Sequence, residues 1–79
     1  MFIRKLKPGE QAPRTADRVC IDRLVDGRIS WTGSLDVGGE AVFGTSPGDF
    51  ATIQEAETDA ISWARGHGAT DLQIEGPNF

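Results

Sequence analysis

The sequence has few of the residues on which enzymes and metal proteins rely. Its 79 residues include one cysteine, one histidine and no tyrosine. A single cysteine excludes an internal disulfide and a thiolate metal cluster. The lone histidine, His67, has no partner at a recognisable spacing that would make it a general base. We therefore expect no catalytic residues, no cofactor and no metal, and we interpret the chain as non-enzymatic.

Long apolar runs are also missing. No stretch approaches the ~20 apolar residues of a membrane-spanning helix, and the first residues lack the apolar core of a signal peptide. Together with the unpaired cysteine, these features favour a cytoplasmic protein. The length fits one small domain over residues 1–79. Because so short a chain has a small core, a homodimer is a reasonable expectation.

Charge is divided unevenly along the chain. Residues 1–28 carry seven bases and four acids, a net charge of +3, whereas residues 29–79 carry one base and eight acids, a net charge of −7. Either the basic part folds against the acidic part within one molecule, or the two parts attract a partner or a second copy. The acidic remainder argues against nucleic acid as a partner.

One segment has the clear pattern of a helix, predicted over residues 52–65. Thr52 and Glu55 form a capping box at its start, and Gly66 is the predicted left-handed residue at its end. Apolar side chains recur at helical spacing along one stripe, which comprises Ile53, Ala56, Ala60, Trp63 and Ala64. We predict that this stripe packs on a sheet, with Trp63 in the core.

The remainder of the chain predicts strands. We expect a meander over residues 18–45, with turns at Asp26–Gly27 and Gly38–Gly39. A final strand over residues 70–75 is expected at one edge of the sheet, and residues 1–17 form a basic, loop-rich segment. The predicted fold class is α+β: an antiparallel three- to four-stranded sheet in the order β-β-β-α-β, with one helix packed on one face.

The two turns predict how the strands pair. A two-residue type I′ turn at Asp26–Gly27 places Leu24 opposite Ile29. The glycine turn pairs Gly33 with Gly44, which leaves room for a close approach of the helix.

One helix covers one face of a sheet, so the other face stays open unless the N-terminal segment folds across it. That open face is our candidate interaction surface. It comprises Val19, Ile21, Arg23, Val25, Arg28, Thr32 and Phe43.

The order of these elements is similar to that of the small domain of HicB-type antitoxins. The resemblance covers residues 28–66, with Thr52-x-x-Glu55-Ala56 opening the helix. It implies a regulatory protein that binds a partner of the antitoxin kind. The DNA-binding segment that this family usually carries is not recognised in the sequence.

The leading hypothesis is a small interaction module that binds a protein partner or a second copy of itself through the open face. The first alternative is an antitoxin-like or nucleic-acid-binding regulator that uses basic residues such as Arg4, Lys5 and Arg14. The second is a small ligand-binding protein or enzyme with a pocket between Trp63 and the sheet.

Two chemical possibilities stay open beside these hypotheses. Cys20 would act as a nucleophile only if the fold brought His67 beside it as a base. Glu55 and Asp59 share one side of the predicted helix and could hold a divalent cation between them. Solvated acidic helix surfaces are common, so neither possibility enters the leading hypothesis.

Overall fold

A computed structural model describes residues 1–7, 10 and 16–76. Within them the chain forms five strands and one helix: β1 (Phe2–Lys5), β2 (Arg18–Arg23), β3 (Ile29–Val37), β4 (Glu40–Thr45), α1 (Ile53–Gly66) and β5 (Asp71–Glu75). The α+β class is confirmed. The sheet, however, is mixed and five-stranded, where the sequence predicted three or four antiparallel strands. Much of the predicted loop within residues 1–17, including Arg14, and the last three residues lie outside the described residues.

The strands lie side by side in the order β1-β5-β2-β3-β4. The antiparallel meander of β2, β3 and β4 follows the prediction. β5, in contrast, lies between β1 and β2 and runs parallel to both, so its predicted position at an edge is wrong. The helix carries the chain back across the sheet, which is the connection that a parallel pairing needs. Leu72 and Ile74 are accordingly fully buried, as expected of a strand with neighbours on both sides.

The helix begins where the capping box predicts. Thr52 is its N-cap residue, and the hydroxyl of Thr52 accepts a hydrogen bond from the backbone N–H of Glu55 at 3.2 Å. The helix ends one residue later than predicted, and the left-handed glycine lies two residues later. Gly66 is still helical, and Gly68 takes the left-handed conformation, with φ of 89°. The N–H groups of Gly68 and Ala69 then bond back to carbonyls of the last turn, which closes the helix.

The helix lies close to the sheet because two facing glycines leave a notch there. Gly33 and Gly44 pair across β3 and β4, as predicted. The indole ring of Trp63 fills the notch so closely that a Cβ atom on Gly44 would lie 2.5 Å from it, and one on Gly33 would also collide with it. Trp63 therefore belongs to the core packing. The pocket that we considered between this ring and the sheet is filled by the ring itself.

A second tryptophan ties the sheet to the helix by a hydrogen bond. Trp31 on β3 is 1% exposed, and its ring centroid lies 4.9 Å from that of Trp63. The indole N–H of Trp31 donates to a carboxylate oxygen of Asp59 at 2.9 Å. This bond satisfies a donor that burial would otherwise leave unpaired.

The first hairpin differs from the prediction by one residue. Leu24 donates its N–H to the carbonyl of Arg28 at 2.7 Å, so the loop has three residues, Val25 to Gly27. A type I′ turn needs positive φ at both central residues, but no non-glycine residue in the described part of the chain has one. Gly27, with φ of 86°, is the left-handed residue of a longer turn. Ile21, rather than Asp22, therefore lies opposite Trp31.

This shift reverses the two faces of β2. Successive side chains of a strand point to opposite faces, so a slip of one residue exchanges them all. Val19 and Ile21 lie under the helix with 0% and 1% of their surface exposed. Their predicted place on the open face is wrong, and Cys20 lies there instead.

We expect an added methyl group in the glycine notch to destabilise the fold. Gly44→Ala should lower the free energy of unfolding by about 1–3 kcal/mol, because the Trp63 ring cannot move without disturbing the core. Denaturant unfolding followed by tryptophan fluorescence measures this. Gly66→Ala is the control: nothing lies near its added Cβ, and alanine suits a helix, so its stability should be unchanged or higher. Equal unfolding midpoints for Gly44→Ala and the parent would contradict the packing.

The register of the first hairpin predicts opposite outcomes at two adjacent positions. Ile21→Ala should cost about 2–5 kcal/mol of stability because it leaves a cavity beneath the helix. Asp22→Ala changes an exposed side chain and should alter stability by no more than about 0.5 kcal/mol. Thermal unfolding followed by circular dichroism distinguishes them. If the hairpin had the predicted two-residue turn, Ile21 would lie on the open face. Ile21→Ala would then change the stability only slightly.

Candidate functional site

The sheet face opposite the helix is the candidate site, which we call the open face. Among the residues that the structure describes, no helix or strand packs on it. Its side chains alternate with the buried ones along each strand. From β1 to β4 they include Phe2, Arg4, Gln73, Glu75, Arg18, Cys20, Ser30, Thr32, Ser34 and Phe43.

Only two of the seven predicted surface residues, Thr32 and Phe43, occupy strand positions on this face. Arg23 pairs with Ile29, whose side chain is buried beneath the helix, so Arg23 belongs to the helix side of β2. Val25 is fully exposed in the hairpin loop beyond the strands. The one-residue shift of the hairpin explains these differences, as it does for the two residues of β2 that are buried.

The remaining predicted surface residue, Arg28, contacts another part of the same chain. Its guanidinium lies 3.6 Å from a carboxylate oxygen of Asp49 and 3.4 Å from the backbone carbonyl of Asp49. Both side chains are largely exposed, so this pair adds little stability. It nevertheless turns the guanidinium toward the loop between β4 and the helix.

A shallow depression occupies the middle of the open face. Its lining combines side chains from four strands, namely Arg18, Cys20, Thr32, Ser34, Phe43 and Glu75. Four of these residues, Arg18, Cys20, Ser34 and Glu75, are absent from the seven residues of the predicted surface. The corrected register of β2 brings the first two onto this face, and the parallel pairing of β5 opposes Glu75 to Cys20. No local turn or repeat in the sequence marks that pairing.

The cysteine in this depression is a poor nucleophile. Burial and, to a smaller extent, the nearby carboxylates of Asp22 and Glu75 together raise the pKa of the Cys20 thiol to about 11. The thiol also lies 3.7 Å from a carboxylate oxygen of Asp22, to which it donates a hydrogen bond. Arg18 opposes these effects only in part. At neutral pH the group is therefore a protonated thiol.

The only histidine lies on the other side of the sheet from this cysteine. His67 caps the end of α1, and its ring packs edge-on against Trp63 at a centroid distance of 5.4 Å. Trp63 in turn contacts the helix side of the sheet. The backbone of the sheet therefore separates His67 from Cys20, and the fold does not bring this nucleophile and base together.

The acidic helix residues also have roles in the packing. A carboxylate oxygen of Glu55 accepts a hydrogen bond from the Thr52 hydroxyl at 3.2 Å, and Asp59 accepts from Trp31. Within residues 1–7, 10 and 16–76, no cluster of three or more histidine, cysteine, aspartate or glutamate side chains has a geometry that could hold a metal ion.

Several basic residues of the first part of the chain pair with acids of the same chain. Ion pairs between described residues include Arg4–Glu10 at 2.6 Å, Lys5–Glu57 at 3.0 Å and Arg28–Asp49 at 3.6 Å. Two of them join the basic part to the acidic part, as the intramolecular interpretation of the charges requires. The carboxylate of Glu57 is buried at the margin of the helix beside Lys5.

The charges of the open face disfavour a polyanion. The strand positions on this face carry two arginines and four carboxylates: Arg4, Arg18, Asp22, Asp36, Asp71 and Glu75. Binding of nucleic acid depends mainly on contacts of basic side chains with phosphates. An exposed aromatic side chain on a net acidic sheet does not provide that attraction.

Comparisons with known proteins leave the function open. No family model, curated protein or solved structure matches this chain. The resemblance to HicB-type antitoxins therefore depends on the order of the elements and on the Thr52-x-x-Glu55-Ala56 motif alone. In the described residues, α1 is the only helix, and it lacks the length and apolar character that a membrane crossing needs.

The environment of Cys20 predicts slow alkylation. With a pKa of about 11, roughly one thiol in a thousand is a thiolate at pH 8. Iodoacetamide should therefore label the native chain far more slowly than a cysteine peptide, with a rate that rises about tenfold per pH unit between pH 7 and 9. Mass spectrometry measures the modified fraction over time.

Asp22→Asn tests the cause of this slow reaction. It removes a nearby negative charge and should lower the Cys20 pKa and speed labelling at pH 8. Glu40→Gln on β4 removes a carboxylate that does not contribute to the Cys20 pKa and should leave the rate unchanged. Labelling of the native chain as fast as that of the peptide would contradict the described environment.

Proposed function

We propose that this chain is a small non-enzymatic interaction module that binds a protein through its open face. The observation that carries the proposal is the exposure of Phe43, which leaves 76% of its surface in water beside the depression. A large aromatic side chain in the middle of a strand adds apolar surface that packing against a partner would bury.

The surroundings of Phe43 fit a protein surface as the ligand. Arg18 and Glu75 supply charges of both signs, and Thr32 supplies a hydroxyl. Reversible protein interfaces combine an aromatic anchor with polar groups of this kind. The register correction makes the face more polar than the sequence predicted, which favours a partner that associates reversibly over a permanent apolar interface.

The extent of the face also favours a large ligand. Phe2 is 71% exposed on β1, at the opposite edge of the sheet from Phe43 on β4. Four inter-strand spacings of about 4.8 Å put these strands about 19 Å apart. Two apolar anchors so widely separated suit a macromolecular surface better than a small molecule.

The chemistry of the depression supports a binding role over catalysis. The protonated thiol of Cys20 is a weak nucleophile, and His67 lies on the other side of the sheet. We further propose a cytoplasmic location, where a lone thiol remains reduced.

A photocrosslinking side chain at position 43 tests the proposed surface. Phe43 is replaced by benzoylphenylalanine, which keeps an aromatic ring, and the chain is irradiated in the cells that naturally produce it. We expect one discrete adduct, because the reactive group lies within the interface. Mass spectrometry then identifies the linked chain and the residue that is crosslinked.

The matched control places the same group at position 25. Val25 is also an exposed apolar residue, but it lies in the hairpin loop outside the open face. An adduct at position 43 that is absent at position 25 supports the proposal. Absence of any adduct from position 43, or equal adducts from both positions, would contradict it.

A further inference from the structure

Within the described part of the chain, no strand pairs with the outer edge of β4, so backbone hydrogen-bonding groups there are unused. Val37 and Glu40 close the two-residue turn at Gly38–Gly39, and Ser46 donates its N–H to the Trp31 carbonyl at 2.9 Å. Residues 40, 42, 44 and 46 thus face β3, since the bonded positions of an antiparallel pair alternate. The intervening residues Ala41, Phe43 and Thr45 direct their N–H and C=O groups away from the sheet.

This edge lacks the features that usually prevent strands from pairing. From Ala41 to Thr45 the strand has no charge and no proline. The other edge of the described sheet, β1, carries Arg4 and Lys5 within four residues. Charged side chains on an edge strand discourage the addition of another strand. Of the two edges, β4 is therefore the one suited to strand addition.

A second copy of the same strand is the occupant that complements this edge best. When two β4 strands run antiparallel about a two-fold axis at Phe43, Ala41 of each copy lies opposite Thr45 of the other. All three outward residues then form hydrogen bonds in both copies. A two-fold interface requires such self-complementarity.

The side chains agree with this register. Phe43 of one copy lies directly opposite Phe43 of the other on the open face, and aromatic cross-strand pairs stabilise a sheet. Glu40, the only charged residue of β4, lies opposite Ser46 of the second copy. The two glutamates are then at opposite ends of the interface, so no like charges meet.

We propose that two copies of this chain associate by antiparallel pairing of their β4 strands about a two-fold axis at Phe43. The two sheets join into one continuous sheet of ten described strands, with both open faces on the same side. This inference rests on the proposed function for the role of Phe43, and it identifies the protein that Phe43 contacts.

Amide hydrogen exchange resolves the pairing residue by residue. Light scattering coupled to size exclusion should give twice the mass of the chain at high concentration. In the dimer the amides of Ala41, Phe43 and Thr45 exchange slowly. On dilution to the monomer these three become fast, whereas Val42 and Gly44, which bond to β3, stay slow. NMR spectroscopy at two concentrations measures this alternation.

Ala41→Pro removes an N–H that points outward and leaves the bonds to β3 in place, as an edge strand tolerates. Because the dimer is two-fold symmetric, the substitution removes two hydrogen bonds, one from each copy. The dissociation constant of the dimer should therefore rise roughly 30-fold. Ala41→Ser keeps the N–H and is the control. If the proline variant does not fold, Phe43→Asp replaces it, since two carboxylates would then meet on the axis.

The outcomes separate this inference from the proposed function. A chain that stays monomeric at all concentrations, or a dimer in which the amides of Ala41, Phe43 and Thr45 exchange fast, would overturn the strand pairing. If position 43 then crosslinks to a different protein, the proposed function stands and only the identity of the partner changes. If position 43 crosslinks to nothing, both proposals fail.

Discussion

The contact between the Trp63 ring and the bare backbone of Gly33 and Gly44 determines where the helix lies on the sheet. An alanine-rich stripe has little bulk of its own, so the close approach of helix and sheet depends on this notch. The hydrogen bond from Trp31 to Asp59 then links the two layers. The only described helix is held on one side, so the other side of the sheet is the one through which we propose that a partner binds.

A change of one residue in a hairpin loop alters the character of that open side. The three-residue loop sends the apolar side chains of Val19 and Ile21 to the core and turns Cys20 outward. The resulting surface has aromatic groups at its margins and polar groups at its centre. The polar centre remains solvated in the free protein, which agrees with the reversible association that we propose.

Local features of the sequence predict some of this structure well. The capping box marks the start of the helix, and the glycine turn sets the register of β3 and β4. The pair Asp26–Gly27 misleads because it fits two kinds of turn that differ by one residue in loop length. The positions of β1 and β5 have no local marker at all. Their pairing depends on contacts between distant segments. The composition of the depression on the open face depends on the same pairing.

The central position of β5 has a consequence for synthesis on the ribosome. Of the described strands it is the last to be translated, yet β1 and β2 are joined only through it. The meander can form early because its contacts are local, whereas β1 must wait for a partner about seventy residues away. The sheet therefore becomes continuous only after β5 has left the ribosome. Until then the nascent chain exposes an unpaired edge on β2, and a chain stalled before β5 would be prone to aggregation.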